Sequence, residues 1–493
     1  MAAKAKTEHR WPRFVLDGNV VEARGVSATT TLLQYLRGPL GRCGTKEGCA
    51  EGDCGACTVV VGEPRDGRMR YSAINSCIRF VPTLDAKEVV TVESLRAPDG
   101  KLHPAQQAMV DCHASQCGFC TPGFVMSLFA LYLSNERVTP DVAIEALAGN
   151  LCRCTGYRPI IEAATKMHAL PAPAHWNRKD AFASARAKAI AALNDGCVAI
   201  PGFDSPRTLD GLAAAYARKP DALLLAGGTD VGLWVTKQLR ELPSVLYVGD
   251  VEGLDEITES RGALEIGASA NLTDAYDAIV ERYPAVAEVA QRFGSPPVRN
   301  SGTLCGNLAN GSPIGDSMPI LIALGATVIL RKGKAERTLA LESLYRGYRQ
   351  TALARAEFIR AVRVPLPAPD LRVATYKVSK RFDQDISSVC AGIAMRVKDG
   401  TISNVRIAYG GMAATPKRAP AAEAALEGRQ WSVAAFDAAK AALAKDFAPM
   451  SDLRASAEYR MQAAAALLKR FFLAHEPRRK GALRVEDLMA ERA

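Results

Sequence analysis

Eight cysteines fall at spacings that could cage metal. In "KEGCAEGDCGACT" the order is Cys49-x4-Cys54-x2-Cys57, and Cys77 follows after one further strand-like run. This is the plant-type 2Fe-2S spacing, in which four thiolates supply two ligands to each of two irons. A loop wrapped around such a centre needs positive φ values and close backbone approach, so that amide N–H groups can face anionic sulfur. Gly48, Gly52 and Gly55 allow both. A zinc ribbon or a set of buried free thiols is the competing reading, although zinc more often takes two ligand pairs of similar spacing. Cys43 stands outside the pattern and reads as a bystander.

The second set is Cys117 and Cys120 in "SQCGFCTPG" with Cys152 and Cys154 in "GNLCRCTGYRP". Cys120 precedes an apolar helical run, whose N-terminal partial positive charge favours an anionic centre. On spacing alone, this set suits a structural zinc ion as well as a cluster. Cys112 and His113 lie close by, but such lone residues in helical segments are usually packing.

Two further stretches could cradle phosphate. "LLLAGGTDVGLWVTK", 223–237, reads as strand, glycine turn and helix, which lays backbone amides against a pyrophosphate. "RNSGTLCGNLANGSPIGDSMP" is a second polar loop of small residues. Neither is G-x-G-x-x-G, so a dinucleotide would be held by something other than a Rossmann turn. Taken bare, each loop is equally consistent with a structural turn.

The elements that must position these residues change period along the chain. "RFVLDGNVVEA" predicts a hairpin about Asp17-Gly18-Asn19, "TTLLQYLRG" a short helix, and "CTVVVGE" and "YSAINSCIRFV" strands. Together they define a small α+β unit over 1–93. From His103 the period turns helical, with helices in "PAQQAMVDC", "GFVMSLFALYLSN" and "TPDVAIEALAGN" and a fourth after "GYRP", giving a helical unit over 98–168. "LPAPAHWNRK" has no period and places a linker at 169–195. Mixed strands and helices then fill 196–370, and three strands followed by Ala-rich helices fill 372–480. The expected class is α+β and multidomain.

The totals bound the function. The 493 residues exceed one core, and 62 basic residues scattered among 52 acidic ones give a net charge of +10 without a basic helix or aromatic-interleaved patch, which argues against nucleic acid. No apolar run spans a bilayer, and the basic head lacks the apolar core of a signal peptide. A cytoplasmic protein with reduced thiols is expected. Ten of the 13 cysteines lie between Cys43 and Cys154, and such crowding points to metal ligands.

"GTKEGCAEGDCGACT", "SQCGFCTPGF" and "GNLCRCTGYRPI" resemble the two iron-sulfur domains of the molybdenum hydroxylases, the xanthine dehydrogenase and aldehyde oxidase family. The resemblance implies a plant-type ferredoxin β-grasp domain with ligands Cys49, Cys54, Cys57 and Cys77, then a four-helix domain with ligands Cys117, Cys120, Cys152 and Cys154. It also makes Gln116 a candidate contact toward a partner's molybdopterin. The later segments resemble the family's two-part FAD domain and its closing flavoprotein domain. There the diphosphate is held by segments like Leu224, Leu225, Ala226, Gly227, Gly228, Thr229, Asp230 and Val231, and like Thr303, Leu304, Cys305, Gly306 and Asn307. Asp316, Phe293, Ile359 and Lys377 take positions near the flavin. Gly228 departs from an asparagine frequent in relatives, and "RFDQD" departs from the acidic loop of vertebrate enzymes.

The resemblance reaches only the electron-transfer half of a complete enzyme. It implies a partner chain with molybdopterin that oxidises hypoxanthine or xanthine, in a heterotetramer of two small and two large subunits. Two 2Fe-2S clusters and FAD would pass the electrons to NAD. The alternatives are the small subunit of another molybdenum hydroxylase such as an aldehyde oxidoreductase, a non-enzymatic iron-sulfur redox sensor, and a stand-alone NADH-dependent reductase. No catalytic residue is assigned to this chain.

Overall fold

A computed structural model describes residues 9–173 and 176–476. Its first unit is a five-stranded sheet in the spatial order Asn19–Glu22, Arg13–Leu16, Glu88–Val90, Thr58–Arg65, Arg68–Asn75. Arg13–Leu16 runs parallel to Glu88–Val90, and the other pairs are antiparallel. The hairpin turns at Asp17 and Gly18, both with positive φ, which suits the twist of the strands it joins. Helix Leu32–Arg37 crosses the sheet; its capping box pairs Thr31 with Gln34, and Leu32, Leu33, Tyr35 and Leu36 are buried. The thiol-bearing loop runs from this helix to strand Thr58–Arg65.

The four expected helices form at Pro104–Asp111, Thr121–Ser134, Pro140–Leu147 and Arg158–Lys166. Thr121–Ser134 is buried nearly all round, with ten of its residues inside, because it is the axle of the helical unit and also lies on the first sheet. Its start at Thr121, with Cys120 at the N-cap, sets one thiol pair at its positive end.

The segment expected to be a linker connects two units but is not loose. Helices Arg178–Ala181 and Ser184–Ala191 lay Trp176, Ala181, Ala187 and Ile190 into the helical core. Arg186 donates to Glu88 Oε1 and Oε2 at 2.5 and 2.9 Å, and Tyr71 donates to Oε2 at 2.8 Å. The apolar anchors are split between a lone tryptophan and two short helices, so no single period marks them. Residues 174–175 lie outside the described residues, as do 1–8 of the first unit and 477–480 of the last.

The next unit has a four-stranded sheet, Ala199–Ile200, Phe203–Asp204, Val245–Tyr247, Leu223–Leu225, and a five-stranded one, Ile257–Ser260, Ala263–Gly267, Phe358–Pro365, Thr327–Lys332, Ala335–Ala340. The helices between them bury a common core. The last unit packs helices Pro420–Leu426, Val433–Asp446 and Ala457–Ala474 on an antiparallel sheet led by Leu371–Val378, Val389–Lys398 and Thr401–Gly410. Among the described residues no helix is long and apolar enough to cross a membrane.

Candidate metal centres and cofactor cavity

Cys49, Cys54, Cys57 and Cys77 come together at the end of the first sheet. Ala50, Gly52 and Gly55 take positive φ, which curls the loop so that its amides turn inward. The N–H groups of Glu51 and Cys54 both donate to Cys49 Sγ at 3.4 Å. A Cβ on Gly48 would stand 2.7 Å from Cys54 Sγ, so only glycine leaves room there. The thiols share protons. Hydrogen bonds from Cys54 and Cys77 hold Cys49 far below the usual thiol range, and giving up those bonds to Cys49 pushes Cys54 and Cys77 far above it. Four thiols gathered at one end of a sheet are a ligand set for cations.

Cys117 pairs with Cys154, and Cys120 with Cys152, at the second set. Burial, followed by the bond to Cys152, pushes Cys120 up to about 12. Thr155 Oγ1 lies 3.2 Å from Cys152 Sγ, and the Thr155 amide donates to that sulfur at 3.5 Å. Cys117, Cys154 and Gln116 are exposed. All 13 cysteines are free thiols, and Cys43, exposed, joins neither set. Among the described residues no three His, Cys, Asp or Glu side chains converge on one point as a mononuclear ion would ask. In the first set Cys49 meets Cys54 and Cys77, and Cys77 also meets Cys57, whereas the second set meets as two pairs.

The two sets adjoin. The Leu151 amide, next to Cys152, donates to Cys54 O at 3.0 Å. Gly123 of the long helix lies against Gly55, where a Cβ would be 2.1 Å from the Gly55 carbonyl.

A cavity of about 730 Å³ opens on the other side of the first set. Strand Leu223–Leu225 ends in Ala226, Gly227 and Gly228, the last at φ +75°, and helix Thr229–Thr236 starts there. Opposite, Thr303 caps helix Leu304–Asn310, its Oγ1 accepting from the Gly306 amide at 3.0 Å. The two glycine loops touch, since a Cβ on Gly227 would lie 2.0 Å from Ser301 O. Leu224, Ala226 to Val231, Phe293, Thr303, Gly306, Asn307, Asp316 and Lys377 all line the cavity. Leu225, Leu304, Cys305 and Ile359 do not, because their side chains turn into hydrophobic cores. Burial raises the Cys305 thiol to about 12.

Lys377 Nζ donates to Asp316 Oδ2 and Ser387 Oγ to Oδ1, both at 2.6 Å, with the two charged side chains only 2% and 6% exposed. Removing one partner of such a pair strands a buried charge. Lys377→Met is expected to cost about 3–5 kcal/mol in a denaturant titration, while Lys377→Met with Asp316→Leu restores much of the loss.

Ser295 and Arg349 line the cavity without a sequence signal, whereas Glu51 and Asp53 lie inside the first thiol loop, Ile78 follows Cys77, and Gln384 belongs to "RFDQD". Ile78 and Leu233 line the cavity and also pack with Cys57 and Cys77. Helix Thr229–Thr236 runs from the cavity to the thiol loop, where Thr236 Oγ1 donates to Ala50 O at 2.7 Å and Lys237 Nζ to Cys49 O at 3.0 Å.

The residues fit a bound flavin dinucleotide. Gly227 lets two glycine loops meet at the cavity wall, the volume suits a cofactor, and the buried Asn307 Oδ1 has no hydrogen-bond partner.

Four stretches of the chain match profiles of known domains. Residues 14–81 match the profile of a 2Fe-2S iron-sulfur cluster binding domain and 91–165 that of a [2Fe-2S] binding domain. Residues 202–367 match the FAD binding domain in molybdopterin dehydrogenase, and 374–475 the CO dehydrogenase flavoprotein C-terminal domain. Xanthine dehydrogenase of Emericella nidulans is 33% identical over 88% of this chain and 36% of its own length. Aldehyde oxidase 2 of Cavia porcellus is 29% identical, over 93% and 39%. The chain thus spans just over a third of the curated relatives it matches. Among solved structures, a chain of carbon monoxide dehydrogenase from Hydrogenophaga pseudoflava is 32% identical at TM-score 0.51, covering 54% of this chain and 94% of that one. Quinoline 2-oxidoreductase from Pseudomonas putida 86 is 26% identical at TM-score 0.50, covering 55% and 95%. With two 2Fe-2S domains ahead of an FAD domain, the chain belongs to the molybdenum hydroxylase family and forms its iron-sulfur/FAD electron-transfer module.

Proposed function

We propose that this chain is the small subunit of a bacterial-type xanthine dehydrogenase, delivering electrons from a partner's molybdopterin centre to NAD. When bound, two 2Fe-2S clusters supply one-electron transfer and FAD supplies the exchange between single electrons and hydride. Cys49, Cys54, Cys57 and Cys77 hold one cluster, and Cys117, Cys120, Cys152 and Cys154 the other. Residues 224–231 and Thr303 to Asn307 hold the FAD diphosphate, with Phe293, Asp316 and Lys377 lining the rest of its cavity.

The observation that carries this reading is the unbroken protein contact between the three sites. Cys152 joins Leu151, whose amide bonds to Cys54 O, and Cys77 joins Ile78 at the cavity wall. The second thiol set lies outermost, with Phe119 and Leu151 each 48% exposed beside it, which suits a face covered by a large partner subunit. Gln116 belongs to that face. A heterotetramer of two small and two large subunits follows the family pattern, and 13 free thiols suit the reducing cytoplasm.

An aldehyde-oxidising partner is the second reading, favoured by the aldehyde oxidase match over 93% of the chain. The test is low-temperature EPR of the purified protein after anaerobic NADH. Two distinct rhombic signals are expected. Signals with dithionite but not NADH would remove NAD as acceptor, and zinc in the second set would remove the relay.

A further inference from the structure

We propose that Asn150 is a positioning residue that fixes the gap between the two thiol sets. The proposal rests on both sets holding 2Fe-2S clusters. Asn150 is 3% exposed and stands two residues before Cys152. Its Nδ2 donates to Gly55 O at 3.1 Å and to Thr58 Oγ1 at 3.2 Å, and its Oδ1 accepts from Ser127 Oγ at 2.6 Å. Thr58 Oγ1 itself donates to Gly55 O at 2.7 Å. One side chain therefore ties the Cys54–Cys57 segment to the Cys152 segment, and both to the long helix behind them.

The approach is as close as backbone permits. Gly55 sits at φ +67°, and a Cβ there would stand 2.1 Å from Gly149 O and 2.5 Å from Asn150 Nδ2. An apolar side chain could fill this buried space without a desolvation penalty, whereas an amide is stabilising only in the one geometry that satisfies it. Asn150 thus selects a single distance between the loops. Electron transfer through protein weakens steeply with the gap, so the residue that fixes the gap fixes the rate.

The test compares Asn150→Ala with Ser127→Ala in the full chain carrying iron and FAD. Ser127→Ala removes one buried hydrogen bond but leaves both inter-loop donors in place, so it controls for stability alone. Iron content, Tm and the magnetic splitting between the two dithionite-reduced centres are read, the splitting falling with the cube of their separation. Asn150→Ala is expected to retain its iron yet show a smaller splitting, the Leu151 amide still holding Cys54 O, while Ser127→Ala shows a comparable drop in Tm with the wild-type splitting. Wild-type splitting in Asn150→Ala, an equal change in both variants, or loss of iron from the first set overturns the proposal. Absence of two cluster signals in the wild-type chain would instead overturn the cluster reading beneath it.

Discussion

Cys77→Ser is expected to erase one of the two rhombic EPR signals, release about half the iron, and leave the remaining centre out of reach of NADH. Cys77 is 3% exposed and shares protons with both Cys49 and Cys57, so it links thiols that are otherwise apart. Serine keeps the shape but not a thiolate at neutral pH, so the fold should survive while the ligand set fails. Because Ile78 walls the cavity, this site lies between the cavity and the second thiol set. Dithionite, which needs no relay, should still reduce the second centre. The matching change at the outermost site, Cys154→Ser, should delete the other signal and leave NADH reduction of the first intact. If Cys77→Ser retains both signals, the ligand assignment is wrong; if NADH still reaches the second centre, the order of the sites is wrong.

Gly227→Val is expected to abolish FAD binding while both iron signals persist. Even the first carbon of a side chain would stand 2.0 Å from Ser301 O and 2.6 Å from Gly302 Cα, and these are backbone atoms that cannot swing aside. The two glycine loops must separate, at a cost of about 1–3 kcal/mol or more. Flavin absorbance per chain and the denaturant midpoint report the two effects separately. Gly228→Asn should be close to silent. Gly228 needs its left-handed φ, which asparagine tolerates, and a Cβ there meets nothing nearer than Leu225 Cδ1 at 3.6 Å. The departure from relatives that carry asparagine at this position is thereby accounted for. Full flavin content in Gly227→Val would show that the cofactor lies elsewhere.

The thiol sets and the four helices were legible because their causes are local. Ligand spacing is written into a loop of a dozen residues, and Thr139 with Pro140 marks a helix start in the sequence itself. The cavity was legible only in its glycine loops. Its wall brings Ile78 from the first unit to Gln384 from a far loop, and packing between units leaves no mark in either stretch. Gln384 even bonds to Ala148 O, near the second thiol set. Leu225, Leu304 and Cys305 sit in the same short stretches but face the core while their neighbours face the cavity, and a stretch read by its glycines does not separate the two. Residues 176–191 carry no helical stripe in the sequence because alanine-rich helices of one or two turns bury little.

The packing of residues 176–191 alters where the chain can be divided. Glu88 belongs to the first sheet, yet its buried carboxylate is completed by Arg186, and Tyr71 stacks edge-on against Trp176. A fragment ending at Ala169 would carry all eight paired thiols but leave Glu88 without its cation and a strip of its apolar core open to water. An iron-sulfur fragment that folds on its own is therefore expected to need the chain through Ala191, and what looks like a tether between modules covers the helical core.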